Sequence, residues 1–150
     1  MTKGRHCVIL ILDYNVLSKG GNINMIQQIS DSELELMKII WANGDVALYA
    51  QIMDGLISAG YSWQKNTIIT LLSRLVDKGL LKTNKIGRRN EYTAIVSEQD
   101  YQAAQTQNFL EKLYEGDAKG LVSTLIQRDM LSEQDYTDLK HFWEGVKTDE

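Results

Sequence analysis

The side chains best suited to binding chemistry are concentrated between Ser62 and Asn90, a stretch that contains seven cations and one anion, Asp77. The cations are Lys65, Arg74, Lys78, Lys82, Lys85, Arg88 and Arg89. The whole chain has a net charge of −4, so this stretch is a local concentration of positive charge. Clustered lysine and arginine side chains attract polyanions and release their counterions. The distribution therefore indicates a surface that could bind a polyanion such as nucleic acid.

The same stretch predicts an amphipathic helix. Its apolar stripe follows helical spacing and consists of Ile68, Leu71, Leu72, Leu75 and Val76. Lys78-Gly79 then fits a helix C-terminus. The opposite face and one flank carry short polar side chains and one cation: Asn66, Thr67, Thr70, Ser73, Arg74 and Asp77. Such a face suits a helix that lies against a DNA major groove, and it equally suits a solvated face that is poor in charge.

The sequence lacks the residues that a metal site or a catalytic site would need. His6 and Cys7 are adjacent, but one histidine and one cysteine cannot supply the four ligands of a structural zinc site. His141 is expected to be a surface or interface histidine. No catalytic triad, P-loop or paired-carboxylate motif is present, so no catalytic residue, metal or cofactor is predicted. A single cysteine also excludes an internal disulfide framework and fits the cytoplasm.

Residues 1–24 are expected to be an accessory or artefactual tail. The run Val8–Leu12 could form a short strand or a sticky tail, and Met25 could be the natural start. No apolar run approaches the roughly 20 residues that span a bilayer, so no membrane insertion is expected. The chain also contains no proline, which fits a mainly α protein.

Residues 25–96 predict three helices, a brief extended piece and a hairpin. The S-x-x-E capping box Ser30–Glu33 starts the first helix, and Asn43-Gly44 stops it. Val46–Leu48 is the extended piece. Tyr49–Ser58 is the second helix, with its apolar face predicted at Ile52, Leu56 and Ile57.

The amphipathic helix comes third, and a basic-tipped hairpin follows it. Its strands are predicted at Leu80–Ile86 and Glu91–Val96, with a turn at Gly87–Asn90. This order of elements is typical of a winged helix-turn-helix domain, which binds DNA with its third helix in the major groove.

Residues 97–150 contain five cations and twelve anions and predict three helices, of which the first runs from Glu98 to Glu115. Three helices in about 50 residues form a poor core alone, so their apolar faces are expected to pack against a second copy. We therefore predict a helical dimerisation domain at 97–150 and a homodimer, which would match a palindromic DNA site. The predicted dimer contacts are Leu110, Leu113, Leu121, Leu125, Leu139, Phe142 and Trp143.

Two motifs resemble those of the penicillinase and methicillin-resistance repressors, the BlaI/MecI/CopY family. Ile29–Glu33 with Met37-x-Ile39-Ile40-Trp41 is similar to the first helix of that family. The pattern W-x3-T-I-x-T-L-L-x-R-L-x2-K-G from Trp63 to Gly79 is similar to its recognition-helix signature. Tyr92 and Asn108-Phe109 also fit, and the resemblance covers about Met25 to Val146.

This resemblance implies a dimeric winged-helix repressor that binds palindromic operators and controls β-lactam resistance genes. In well-known members a membrane sensor protease triggers cleavage of an Asn-Phe bond in the dimerisation helix. Carried over to this chain, that bond is Asn108-Phe109. The Cys-x-Cys motifs of the copper-sensing branch are missing, which disfavours copper sensing.

The chain departs from the family pattern at two places. Gln64-Lys65 replaces a common Ser-Pro, so the helix cap is expected to shift to Ser62. Ile69 replaces a polar or basic residue; it cannot donate to a base or phosphate, although it could contact a thymine methyl group.

The leading hypothesis is therefore a repressor that binds double-stranded DNA. The residues expected to meet the groove are Asn66, Thr67, Thr70 and Ser73, and those expected to contact phosphates are Lys65, Arg74, Arg88 and Arg89. The alternative is a winged-helix protein-interaction module, in which the wing arginines bind an acidic partner and Ile69 belongs to an apolar contact patch.

Overall fold

The structure, a computed structural model, describes residues 26–148. The predictions for residues 1–24, including His6-Cys7 and Val8–Leu12, and for Met25 lie outside the described residues. Within them the chain forms two compact units, which meet in sequence between Asn108 and Phe109. The elements are α1 (Asp31–Ala42), β1 (Val46–Leu48), α2 (Tyr49–Ser58), α3 (Lys65–Asp77), β2 (Leu81–Ile86), β3 (Arg89–Ala94), α4 (Glu98–Tyr114), α5 (Ala118–Gln127) and α6 (Glu133–Thr148).

The first unit contains the predicted order of helix, short strand, two helices and hairpin, which confirms the mainly α, winged helix-turn-helix fold class. Its three strands form an antiparallel sheet in the order β1-β3-β2. The predicted turn Gly87–Asn90 is too long, because Arg89 pairs with Ile86 and Asn90 with Lys85. The turn is therefore Gly87-Arg88, where Gly87 has a φ of 62° that glycine adopts without strain.

The core of the first unit lies between α1, α2, α3 and the sheet. The stripe predicted for α3 is confirmed, since four of its members are buried and Val76 is half-buried. In α2, Ile52 and Leu56 are fully buried as predicted. The inward position predicted for Ile57 is wrong, because its side chain is 64% exposed. Ile57 lies one residue, about 100° around the helix, beyond Leu56, and this rotation turns it away from the core.

Helices α1 and α2 approach each other closely at Gly55. A Cβ atom at this position would lie 2.7 Å from Cγ2 of Ile39, which is closer than side chains tolerate. Glycine inside a helix is unfavourable by about 1 kcal/mol relative to alanine. Its presence in α2 is therefore explained by the space that Ile39 occupies.

The start of α1 is held by the predicted capping box. The backbone N–H of Glu33 donates to Oγ of Ser30 (3.2 Å), and the N–H of Ser30 donates to Oε2 of Glu33 (3.0 Å). The structure adds a contact that the sequence pattern did not predict: Nζ of Lys78 donates to the same Oε2 at 2.7 Å. The Glu33 side chain is 2% exposed and that of Lys78 is 30% exposed. This ion pair ties the start of α1 to the C-terminal end of α3.

The ion pair also sets the protonation of Glu33. Burial by itself raises the pKa of this carboxyl group, but the hydrogen bonds from Lys78 and from the Ser30 backbone, with the positive charges of Lys78 and Arg74, lower it more. The net effect places the pKa of Glu33 below its ordinary value of 4.5. The carboxylate is therefore charged at neutral pH.

The first half of α4 packs on the first unit. The N–H of Asp100 donates to Oγ of Ser97 (3.0 Å), which caps the start of this helix. The Tyr101 ring lies 5.7 Å from the ring of Trp41, and the Tyr101 hydroxyl accepts a hydrogen bond from the backbone of Ile29. Trp41 Nε1 donates to the carbonyl of Val96 (2.9 Å). Residues that follow the wing therefore complete the same core.

The second unit contains the end of α4 with α5 and α6. Helix α4 ends at Tyr114 and not at the predicted Glu115, because Glu115 and Gly116 have φ values of 50° and 84°. Asp117 caps α5 by accepting from the N–H of Gly120 (3.1 Å). No residue of α6 is buried. Among residues 26–148, no helix has the length and apolarity needed to cross a bilayer.

We predict that replacing Lys78 by methionine lowers the free energy of unfolding by about 2–4 kcal/mol at neutral pH, because it leaves the buried Glu33 carboxylate without its cation. Since the folded pKa of Glu33 lies below its unfolded value, the pair stabilises the protein above pH 4.5 and loses that contribution as pH falls through the folded pKa. The deficit of Lys78→Met should therefore shrink in acid. Urea denaturation of the parent and the variant, at neutral pH and below pH 4.5, measures the difference in their free energies of unfolding.

Lys38→Met is the matched control for this measurement. Lys38 forms an ion pair of similar length with Glu35 (2.8 Å), but on the surface, with side chains 52% and 28% exposed. Exposed pairs contribute little to stability, so this variant should unfold like the parent. Equal losses from the two variants would contradict the role assigned to the buried pair.

Candidate nucleic-acid interface

The outward face of α3 is set by the burial of its apolar stripe. With Ile68, Leu72 and Leu75 fully buried, the residues on the opposite side of the helix must point away from the core. All six predicted interface residues of α3 are exposed: Lys65, Asn66, Thr67, Thr70, Ser73 and Arg74. The helix therefore presents amide and hydroxyl groups that can reach base edges, between two cations.

Thr70 has a restricted hydrogen-bonding role. Its Oγ1 donates to the backbone carbonyl of Asn66 one turn earlier, at 2.8 Å. The hydroxyl hydrogen is therefore occupied, and the oxygen remains an acceptor. Facing a base, Thr70 can accept a hydrogen bond or present its methyl group.

The N-terminus of α3 begins differently from the prediction. The helix cap at Ser62 is wrong, because the helix starts at Lys65 with Gln64 as the N-cap, in extended conformation and without a side-chain hydrogen bond to the helix. Ser62 stands two residues before that cap. A cap at Ser62 would require Trp63 and Gln64 to be helical. Instead Gln64 is extended, and the Trp63 ring packs on the Tyr61 ring (4.9 Å) and against the core. The first turn of α3 contains no acidic residue, so its positive end suits a phosphate.

The wing supplies further positive charge. Every residue from 82 to 90 is exposed, including Lys82 and Lys85 on β2. Arg88 stands in the turn and Arg89 begins β3. Lys78, although part of the same basic stretch of sequence, is instead engaged by Glu33 and does not add a free charge to this surface.

A basic cleft lies between the start of α2, the start of α3 and the wing, with a volume of about 540 Å³. It brings together three of the predicted phosphate contacts, Lys65, Arg88 and Arg89, from two separate elements. The fourth, Arg74, is exposed but does not line the cleft. The remaining lining residues are Leu48, Tyr49, Ala50, Ile69, Asn90 and Tyr92.

Sequence reasoning did not select Tyr49, Asn90 or Tyr92 as part of this site. Tyr92 was noted only for its fit to the family pattern and Asn90 only as part of the predicted turn. The three residues reach the cleft because β3 pairs with β1 and α2 follows β1 directly. Burial raises the pKa of Tyr92 above its ordinary value, and a hydrogen bond with Asn90 opposes that rise. The Tyr92 hydroxyl therefore stays neutral beside the cations.

The predicted cleavage and dimer residues lie on α4, α5 and α6. Asn108 is exposed and Phe109 is 46% exposed, at the junction of the two units. Four predicted dimer residues are more than half exposed: Leu113, Leu139, Phe142 and Trp143. Leu121 and Leu125 are half-buried. Leu110 is already buried within a single chain, with 7% of its surface exposed.

Comparison with known proteins identifies relatives of this chain. The family model described as penicillinase repressor matches residues 29–145. The penicillinase repressor of Bacillus licheniformis is 35% identical over 122 residues, which cover 81% of this chain and 94% of that protein. The methicillin resistance regulatory protein MecI of Staphylococcus aureus (strain N315) is 30% identical over 118 residues, covering 79% and 94%. The DNA-binding domain of the repressor BlaI, solved in solution, is 42% identical and covers 51% of this chain and 90% of that one, with a TM-score of 0.45.

Proposed function

We propose that this chain, which belongs to the penicillinase repressor family, is a transcriptional repressor that binds double-stranded DNA. One observation carries the proposal: α3 presents an exposed face of short polar side chains beside a cleft lined by three cations. A polar helix face can enter a major groove, and cations on both sides of it can hold the two phosphate backbones.

In this mechanism α3 enters the major groove. Base edges are met by Asn66, Thr67, Thr70 and Ser73, whose short side chains let the helix lie close to the bases. The phosphates are contacted by Lys65, Arg74, Arg88 and Arg89, which fix the register of α3 in the groove without reading sequence. Repression then follows from occupancy of a promoter that transcription requires.

We propose further that the repressor is a homodimer on a palindromic operator. The support is the number of large apolar side chains on α6 that one chain leaves in water, of which Phe142 (73% exposed) and Trp143 (61% exposed) are the largest. Contiguous apolar surface of this kind marks interaction sites. Two copies related by a twofold axis would bury it and place two α3 helices on two half-sites.

Induction by proteolysis at Asn108-Phe109 is proposed from the resemblance to the family and from the position of the bond. The bond lies in the middle of α4, so a protease must first open the helix locally. It also lies where one compact unit ends and the next begins. A cut would leave the winged helix with its own core and separate it from the proposed dimer surface. The proposed partner is a membrane sensor protease.

The genes under control are proposed to belong to β-lactam resistance. The support is the naming of two relatives for penicillinase and for methicillin resistance. A DNA-binding repressor acts where the DNA is, which places this activity in the cytoplasm.

The alternative function is a protein-interaction module, favoured by the exposure of Ile69 (43%) beside the wing arginines. In that case an acidic protein segment would occupy the basic cleft, and duplex DNA would not bind. Salt-dependent binding of duplex DNA would separate the two functions.

Binding to duplex DNA of the chain's own promoter should be strongly salt-dependent, because each neutralised phosphate releases counterions. With six phosphates contacted, affinity should fall about a thousandfold between roughly 50 and 200 mM salt. Arg88→Glu with Arg89→Glu should weaken binding and lower the salt slope by about two ions. Fluorescence anisotropy over a salt series measures both quantities.

Lys119→Glu with Arg128→Glu provides the matched control, because it makes the same change in net charge on exposed residues of the second unit. This variant should retain nearly the parent's affinity. Absent or salt-insensitive DNA binding by the parent, together with loss of a protein partner in the wing variant, would favour the interaction module.

Phe142→Ala with Trp143→Ala should convert the proposed dimer into monomers, because it removes exposed apolar area that no core requires. Lys140→Ala with His141→Ala, on the same exposed helix, should remain dimeric. The monomeric variant should bind a palindromic duplex on the order of a hundredfold to ten-thousandfold more weakly, through loss of tethering, and a single half-site as before. Sedimentation velocity gives the assembly state, and a parent that sediments as a monomer at micromolar concentration would refute the dimer.

Cells that carry the native locus should convert the chain to a shorter fragment when a β-lactam is added. Asn108→Ala with Phe109→Ala should stay full length and keep repressing, whereas Lys112→Ala, an exposed α4 residue that preserves the bond, should be cut like the parent. Immunoblotting follows cleavage of the chain, and expression of a reporter gene follows the loss of repression. If the parent stays full length while its genes are induced, a ligand or partner switch must replace cleavage.

A further inference from the structure

We propose that Ile69 determines operator specificity by contacting the 5-methyl group of a thymine in each half-site, an inference that rests on the proposed DNA-binding function. Ile69 is the one large apolar side chain of α3 that is more than a third exposed, at 43%. The core does not need it, since the stripe that anchors the helix is complete without it. Its apolar surface is therefore available to a ligand.

The position of Ile69 on the helix restricts what it can meet. Lys65, Ile69 and Ser73 follow each other at intervals of four residues and form one row along α3. This row lies on the side of the helix that faces the wing, because Ile69 lines the basic cleft together with Lys65 and the wing arginines. Bound DNA would therefore place Ile69 between base edges on one side and a phosphate backbone on the other.

Thymine is the base whose major-groove edge fits this position. Apart from the smaller C5–H of cytosine, the other groups exposed in that groove are hydrogen-bond donors and acceptors, which an isoleucine would leave unpaired, whereas the thymine methyl is apolar. The methyl is attached at C5, toward the pyrimidine's own backbone. An apolar side chain next to phosphate-binding cations therefore lies near the C5 methyl group and not near the centre of the base pair.

The charge around Ile69 argues against an apolar protein contact at the same place. Three of the nine side chains that line the cleft are cationic, and Asn90 adds an amide. Apolar interaction patches are contiguous over a few hundred Å². Leu48, Ala50 and two tyrosines also line the cleft, but Ile69 is the one large aliphatic side chain of the lining that is more than a third exposed. One such side chain beside three cations fits an isolated methyl group next to phosphates better than it fits an apolar protein surface.

The test begins with a duplex selected from a randomised library by the full-length chain. Each thymine of the selected duplex is then replaced in turn, in both half-sites, by deoxyuridine, which lacks only the methyl group. One thymine per half-site should be sensitive, with a loss of about fourfold in affinity for each half-site. A thymine methyl contacted by Thr67 or Thr70 would also be sensitive, but its sensitivity should persist in Ile69→Ala. Thymines whose replacement by deoxyuridine leaves the parent's affinity unchanged serve as the internal control.

Ile69→Ala assigns the contact to the side chain. Alanine preserves the helix and removes most of the apolar side chain. This variant should therefore bind the parent's duplex more weakly and bind equally well with thymine or uracil at the sensitive position. Replacing the sensitive T·A pair by C·G should weaken binding by the parent. Replacing it by 5-methylcytosine·G should recover the methyl component for the parent and not for Ile69→Ala.

The outcomes separate this inference from the proposed function. If no duplex binds in a salt-dependent manner, the repressor function itself fails. If the parent binds DNA and the wing variant binds it more weakly, but no deoxyuridine replacement changes affinity, only the role of Ile69 is overturned. Selection of duplexes without a common sequence, or equal uridine sensitivity in the parent and Ile69→Ala, would overturn that role as well.

Discussion

Burial of the apolar stripe of α3 is the interaction on which the rest of this structure depends. Ile68, Leu72 and Leu75 are fully buried, and each such side chain contributes about 1.5–3 kcal/mol of transfer free energy. A rotation of α3 about its axis would expose them, so the same burial fixes the direction of the opposite face. The stability of the winged helix and the presentation of its proposed DNA-binding residues therefore have one physical cause.

The Glu33–Lys78 pair connects this helix to α1. A buried carboxylate is unfavourable without partners, so Glu33 requires both the Ser30 N–H and the Lys78 cation. This requirement makes the pair sensitive to the position of the C-terminal end of α3. The capping box of one helix thereby helps to set the end of another, 45 residues away in sequence.

Positive charge on the winged helix and negative charge on the following helices divide the chain electrostatically. Residues 25–96 hold eight lysine or arginine and seven aspartate or glutamate residues, whereas residues 97–150 hold five and twelve. A polyanion is thus attracted to one part of the sequence and repelled by the other. The division agrees with the proposal that the wing and α3 contact DNA and that the last helices form the dimer.

The sequence by itself determined the element order, the stripe of α3, the Ser30–Glu33 capping box and the exposed polar face, because helical periodicity and caps depend on residues a few positions apart. The burial of Ile57 was mispredicted because it lies about 100° around α2 from the buried Leu56. The cap at Ser62 was mispredicted because the contact between the Tyr61 and Trp63 rings holds Trp63 outside the helix. Only the tertiary structure decided that Lys65 meets Arg88 and Arg89 in one cleft and that Lys78 is taken up by Glu33. These pairings join distant segments, and their partners depend on how the helices and the sheet pack.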